Sequence, residues 1–156
     1  MPRSLFRNCA MYLEESLSPV AQLEPEPSPP HRATILVVDD DSDQLETLSL
    51  RLRNQGFLTH SAQTGAAALE LADSCCPDLI LLDLGLPDMN GLDVCAALAD
   101  GDTTSGVPII IVSATDRDDA VRSSRAAGST FFVRKPYDPN ALLTLIERAL
   151  GHEYDL

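Results

Sequence analysis

Tryptophan is absent from this 156-residue chain, aromatic residues make up only 4%, and lysine occurs once, at Lys135. A core built without large aromatics must be packed from aliphatic side chains. Positive charge is scarce as well. Eleven Lys and Arg stand against 24 Asp and Glu, for a net charge of −13. Such an acidic balance argues against direct contact with nucleic acid through phosphates. No apolar run approaches the roughly 18 residues of a membrane span. The opening MPRSLFRNCAMYLEES turns acidic by Glu14, unlike a secretory signal. The expectation is a cytoplasmic protein with no membrane partner. Zinc-ligand spacing is lacking among Cys9, Cys75, Cys76 and Cys95, and His31, His60 and His152 are scattered, so the thiols are expected to be reduced and buried. There is no G-x-G-x-x-G, no P-loop and no nucleophile elbow. What is present is 44% apolar residues, enough for one real core, which excludes global disorder.

Residues 1–33 read differently from the rest. The stretch SPVAQLEPEPSPPHR holds five of the eleven prolines and no repeating apolar pattern. It reads as a flexible, Pro-rich arm, dispensable for folding. A short helix around Leu5 to Leu17 with a docking role is the alternative to a solvated tail. From Thr34 the texture changes. Ile35–Val38, Leu79–Leu82 and Ile109–Val112 are continuous apolar runs, Phe131–Val133 is shorter, and Phe57–His60 is weaker. Continuous rather than alternating apolar strands imply burial on both faces, as in a parallel sheet. The segments between them carry helical spacing: Leu45, Leu48, Leu52; Ala68, Leu71, Ala72, Cys75; Leu92, Cys95, Ala96, Ala99; and Leu142, Leu145, Ile146, Ala149. A fourth helix, over 116–127, has only Val121 and alanines to anchor it. Gly56, Pro77 and Gly128 punctuate helix ends, and Asp138-Pro139 supplies a cap and first-turn proline. The expected architecture is α/β: a doubly wound (βα)5 domain over 34–150, with a five-stranded parallel sheet, helices on both faces and a short tail at 151–156.

In such a sheet, ligands bind outside the carboxyl ends of the strands. Asp39, Asp40 and Asp41 follow the first run, Asp83 the third, Ser113 the fourth, and Lys135-Pro136 comes shortly after Val133. Asp39, Asp40 and Asp83 crowd three negative charges into one crevice, where each would raise the others' pKa. A hard divalent cation together with Lys135 offsets that charge. Magnesium takes one or two carboxylates and leaves positions for phosphate oxygens. An ion flanked by Lys135 and Ser113 suits a transferring phosphoryl group, and a carboxylate such as Asp83 can accept one. Other readings stand beside these. Asp41 or Ser42 reads as a helix N-cap, a lone lysine after a strand is often solvated, and Ser113 is as readily a turn hydroxyl.

The segments ILVVDDD, LILLDLGLPDMNGLD, PIIIVSAT and FFVRKP, in this order and spacing, resemble the receiver domain of bacterial two-component response regulators. The resemblance runs from Thr34 to about Leu150. It implies the flavodoxin-like strand order 2-1-3-4-5, with Asp83 as phosphoacceptor. It implies Mg²⁺ held by Asp39, Asp40, Asp83 and the Gly85 carbonyl, and a cis peptide at Lys135-Pro136. Ser113 would be the switch hydroxyl, Lys135 the contact to a phosphoryl oxygen and Phe132 the aromatic switch position, unless Phe132 is a permanent core residue. Ser113 stands where threonine is commoner, and Phe132 where tyrosine is. The partners implied are a sensor histidine kinase or histidine phosphotransfer protein, a downstream protein target, and a second copy that could pair through the fourth helix, fifth strand and fifth helix. The domain would not be an enzyme but would assist its own phosphorylation and dephosphorylation. Since GHEYDL reads as a tail, the signal is expected to leave through protein contacts or pass onward in a phosphorelay.

Rival classes fit less well. A haloacid-dehalogenase phosphatase would use Asp39 and Asp41, but Asp43 stands where Thr or Val is expected. A calcium loop beginning at Asp39 would need Gly and Glu where Gln44 and Leu50 stand. The alternative kept is a phosphate-independent interaction module on the receiver fold. A scaffold of that kind has no chemical need for so costly a cluster of charge.

Overall fold

Side chains from Ile35 to Val38, Leu79 to Leu82 and Ile109 to Val112 are all buried, alternately toward two core clusters, as the unbroken apolar runs require. The computed structural model describes residues 32–115 and 119–151. Among these, five strands alternate with five helices: β1 Thr34–Val38, α1 Ser42–Asn54, β2 Leu58–Ala62, α2 Gly65–Cys75, β3 Leu79–Leu82, α3 Gly91–Asp100, β4 Ile109–Ser113, α4 Ala120–Ala126, β5 Phe131–Arg134 and α5 Pro139–Ala149. The sheet is wholly parallel with order β2-β1-β3-β4-β5, the expected doubly wound arrangement.

One core cluster joins Ile35, Val37, Leu81 and Ile110 to Leu45 and Leu52 of α1 and to Leu142 and Ile146 of α5. The other joins Leu36, Leu82 and Ile111 to Ala68 and Ala72 of α2 and to Val94 and Leu98 of α3. Helices therefore cover both faces. Their starts are capped as the sequence suggests: Asp41 accepts from Asp43 and Gln44 N–H, Asn90 from Leu92 N–H, and Asp138 from Asn140 N–H.

Several elements depart from expectation. β2 runs two residues further along than Phe57–His60. It is an edge strand whose only buried side chain is Ala62, so its sequence carries little apolar signal. The buried stripe of α3 is Gly91, Val94, Cys95 and Leu98, one residue earlier than the phase read from Leu92, Cys95, Ala96 and Ala99, because alanine-rich helices offer two similar phases. Residues 116–118 of the expected fourth helix lie outside the described residues. Val121 does not anchor α4, being 44% exposed; the buried positions are Ala120 and Ser124, one turn apart. The short helix considered near Leu5–Leu17 and residues 152–156 of the tail also lie outside the described residues. Arg32 and Ala33, assigned above to the arm, are packed instead. Ala33 is buried, and the Arg32 guanidinium lies 4.5 Å over the Phe57 ring and pairs with Glu147 at 2.6 Å.

The described cysteines are free, but they are not uniformly buried. Cys95 is buried, Cys75 half-buried and Cys76 exposed. Cys76 closes α2 with φ +48° and its N–H on the Ala72 carbonyl, which turns it off the packed face. Burial pushes the Cys95 thiol up to about 11, while burial and then the neighbouring Cys76 raise Cys75. Iodoacetamide at about pH 8 followed by peptide mass mapping should therefore, among the described cysteines, modify Cys76 first and leave Cys95 untouched until denaturant is added. Equal rates at Cys76 and Cys95 in the native protein would contradict the packing of α3.

Candidate functional site

Because every strand runs the same way, their carboxyl ends gather residues far apart in sequence at one edge. Asp39 and Asp83 are 7% and 8% exposed, held at the ends of β1 and β3. The Asp39 N–H donates to the Ala62 carbonyl at 3.1 Å and the Asp83 N–H to the Val38 carbonyl at 2.9 Å, so the ladder continues into the site. Each carboxylate divides its oxygens in the same manner. Asp39 Oδ1 accepts from Asp41 N–H at 3.0 Å and Asp83 Oδ1 from Gly85 N–H at 2.9 Å. Oδ2 of both accepts from Lys135 Nζ at 2.8 Å.

Lys135 leaves β5 through a backbone bond to the Ser113 carbonyl at 2.9 Å, and its peptide with Pro136 is cis. Burial on its own would lower the pKa of this ammonium. The hydrogen bonds it donates to Asp39 and Asp83, with the charge of both carboxylates, outweigh burial and hold it above the ordinary lysine value. The third Nζ proton goes to Gln44 Oε1, also at 2.8 Å. Gln44 was not singled out from the sequence. The available signal was its place in the first turn of α1, three residues after the Asp41 cap, where a side chain can reach across to the strand ends.

Carboxylate oxygens of Asp39, Asp40 and Asp83 all lie within 4.8 Å of one another, with Asp40 exposed. Hard oxygen donors gathered at that span fit a hard divalent cation such as magnesium. A cleft of about 450 Å³ opens beside Asp40 and Asp83, lined by these two, Gly85, Ser113, Thr115 and Ser123 among others. Ser113 is buried, and its hydroxyl accepts from Thr115 N–H at 3.4 Å. Phe132 does not line the cleft. It pairs with Ile111 in register while Ser113 pairs with Arg134, so Phe132 sits one strand over and two residues back, half-buried against the second core cluster. The structure thus brings Asp39, Asp40, Asp83 and Lys135 into one charge cluster. Ser113 and Gly85 share its cleft, and Phe132 adjoins it only through the sheet.

A carboxylate pair bridged by one lysine with a third acid beside it, at the edge of a 2-1-3-4-5 parallel sheet, defines a signalling receiver. The family model of the response regulator receiver domain matches residues 35–147, and the chain belongs to that family. Relatives include the DNA-binding response regulator MtrA of Mycolicibacterium smegmatis, 42% identical over 125 residues, covering 80% of this chain and 53% of MtrA. The transcriptional regulatory protein KdpE of Mycobacterium tuberculosis is 38% identical over 117 residues, covering 74% of this chain and 50% of KdpE. The chain spans about half the length of these curated relatives. Among solved structures, a CheY-like response regulator receiver domain protein from Methanospirillum hungatei has a TM-score of 0.72 at 28% identity, over 76% of this chain and 94% of that one. The chemotaxis response regulator CheY4 of Vibrio cholerae has a TM-score of 0.70 at 26% identity, over 75% and 98%.

These relatives correct one expectation. The acidic composition argues against direct nucleic-acid partners, yet proteins 41–42% identical over this segment are DNA-binding response regulators. Net charge averages over the residues counted, whereas phosphate contact depends on where basic groups are placed in the whole protein. The exclusion is withdrawn. As to membranes, no helix among the described residues is long and apolar enough to cross one.

The bridging role of Lys135 is open to a direct test. Lys135→Met keeps the aliphatic stem but leaves two buried carboxylates facing each other. In metal-free buffer at neutral pH it should lose about 1–3 kcal/mol of unfolding free energy in urea titrations. Unchanged stability would mean that the bridge is solvated rather than structural.

Proposed function

We propose that the domain receives a phosphoryl group on Asp83 from a phosphohistidine of a sensor kinase or phosphotransfer protein, in a Mg²⁺-dependent reaction in the cytoplasm. The observation that carries this reading is the bridged pair: Asp83 lies beside Asp39 and Asp40, shares Lys135 with Asp39, and faces an open cleft. In the transfer, an Asp83 carboxylate oxygen bonds to phosphorus as the phosphorus–nitrogen bond to the imidazole breaks. Attack by water later returns the carboxylate and releases phosphate. Mg²⁺ held by Asp39, Asp40, Asp83 and the Gly85 carbonyl would supply the positive charge that phosphoryl oxygens require.

The chain's own residues do the rest. Gly85 N–H holds one Asp83 oxygen and so orients the other. Lys135, already at hydrogen-bond distance from Asp83, donates to the oxygens that gather there. Ser113 offers the neutral donor at the adjoining strand end. When its hydroxyl turns toward the new oxygens, the space it leaves lies along the face that carries Phe132, and the ring can bury itself further. In this reading the receiver spans 34–150, with Arg32 and Ala33 packed against it, and signals by changed surface contacts. It assists its own phosphorylation and dephosphorylation without turning over an external substrate.

Acetyl phosphate with Mg²⁺ should add one phosphoryl group to the wild type, read as a mass increase in the intact protein. Asp83→Asn, or chelation of the metal, should abolish it. Equal labelling of the wild type and Asp83→Asn would remove Asp83 from the reaction.

A further inference from the structure

The loop between β3 and α3 carries Gly85, whose N–H fixes Asp83, and its two ends are held by different means. Near the site it is closed by contact: a Cβ on Gly91 would collide with the Leu84 backbone, so α3 begins directly against the start of the loop. The Asn90 side chain caps α3 there, accepting from Leu92 N–H at 2.9 Å. The tip of the loop is fastened to a different element. Asp88 Oδ1 accepts from Gly65 N–H at 2.7 Å and Oδ2 from Ala66 N–H at 3.0 Å, which are the first two amides of α2. Met89 follows it down: a Cβ on Gly65 would stand 2.8 Å from Met89 Sδ and 2.9 Å from Val94 Cγ2, so a side chain there would crowd the seat of the loop.

First-turn amides of a helix have no partners within the helix and sit at the positive end of its dipole. Thr64, the N-cap of α2, accepts only from Ala67 N–H, at 3.0 Å. The two amides before it are taken by a carboxylate that belongs to the phosphoacceptor loop. Both Asp88 oxygens are used, and the bonds are charge-assisted. The Ala66 and Gly65 amides hold the Asp88 carboxyl below its usual range, the direction expected of a carboxylate serving as a helix cap.

We infer that Asp88 is a positioning residue: by clamping the loop tip to the α2 N-terminus, it holds Gly85 where its N–H orients Asp83 and its carbonyl can complete a Mg²⁺ site. The inference rests on the proposed phosphoacceptor reading and adds a residue that touches neither metal nor phosphoryl group. Outer partners of metal ligands are worth substantial affinity because they fix ligand orientation.

The test uses the full chain and Mg²⁺ itself, titrated by calorimetry, with Asp88→Ala, Asp88→Asn and Thr64→Ala. Asp88→Ala should weaken Mg²⁺ binding about tenfold. Asp88→Asn, which keeps one strong acceptor, should fall between it and the wild type. Thr64→Ala removes the other cap of the same helix, so it should lower the melting temperature yet bind Mg²⁺ within about twofold of wild type. At saturating Mg²⁺, labelling of Asp88→Ala by acetyl phosphate should approach the wild-type rate, a KM-type defect. Wild-type affinity in both Asp88 variants would overturn the inference, as would an equal loss in Thr64→Ala, which would reduce the effect to general weakening of α2. If the wild type itself fails to bind Mg²⁺, the underlying phosphoacceptor reading falls too. Binding by the wild type with indifferent Asp88 variants sinks this inference alone.

Discussion

One ammonium group makes the carboxyl edge of this sheet tenable. Lys135 is the only lysine in the chain, and its three protons go to Asp39, Asp83 and Gln44 at 2.8 Å each. Take it away and two buried carboxylates remain within a few ångströms of each other and of Asp40, a repulsion the aliphatic core beneath could not relieve. The same arrangement leaves a charge deficit, since one cation faces three acids. A cleft that is structurally settled but electrostatically unsatisfied is suited to accept a further cation and then a group rich in anionic oxygen.

How legible this was follows from where each signal is stored. Strands β1, β3 and β4 lie in the interior of the sheet, so their apolar character is continuous and their ends are sharp. The residues just after them, Asp39, Asp83 and Ser113, could therefore be read as a site before any topology was known. The edge strand β2 starts one residue and ends two residues later than its apolar signal suggests, because an edge strand has little to bury. Val121 looked like an anchor because it is the only large apolar residue of its helix, but the position one turn before Ser124 faces inward, and Val121 does not occupy it. Cys76 was expected to be buried from residue type alone, whereas helix termination turned it outward. Gln44 and Asp88 act across loops through contacts 91 and 22–23 residues distant. No local pattern encodes that. Nucleic acid was excluded on an average charge, a quantity that carries no position.

Helix α4 contrasts with its neighbours. It is seven residues long, its N-cap Asp119 makes no side-chain cap bond, and its most buried side chain is Ser124, whose hydroxyl meets no hydrogen-bond partner among the described residues. A short helix without a side-chain cap has few groups to hold it on the sheet. By contrast α2 has two sources of capping and α5 a capped, proline-started first turn. Among the described helices α4, beside β4 and β5, is thus the one with the fewest such holds.

The bond between Lys135 and Asp39 joins residues 96 positions apart, the first strand to the last. A ribosome must therefore release nearly the whole domain before the acids acquire their counter-charge. Until β5 docks, a growing chain exposes an acidic strand end with no cation of its own, and the non-local pairing that completes it is of the slow-forming kind. Competence to take up phosphate would then mark a finished fold, so a truncated or half-folded copy would stay silent in the signalling circuit instead of competing for the donor.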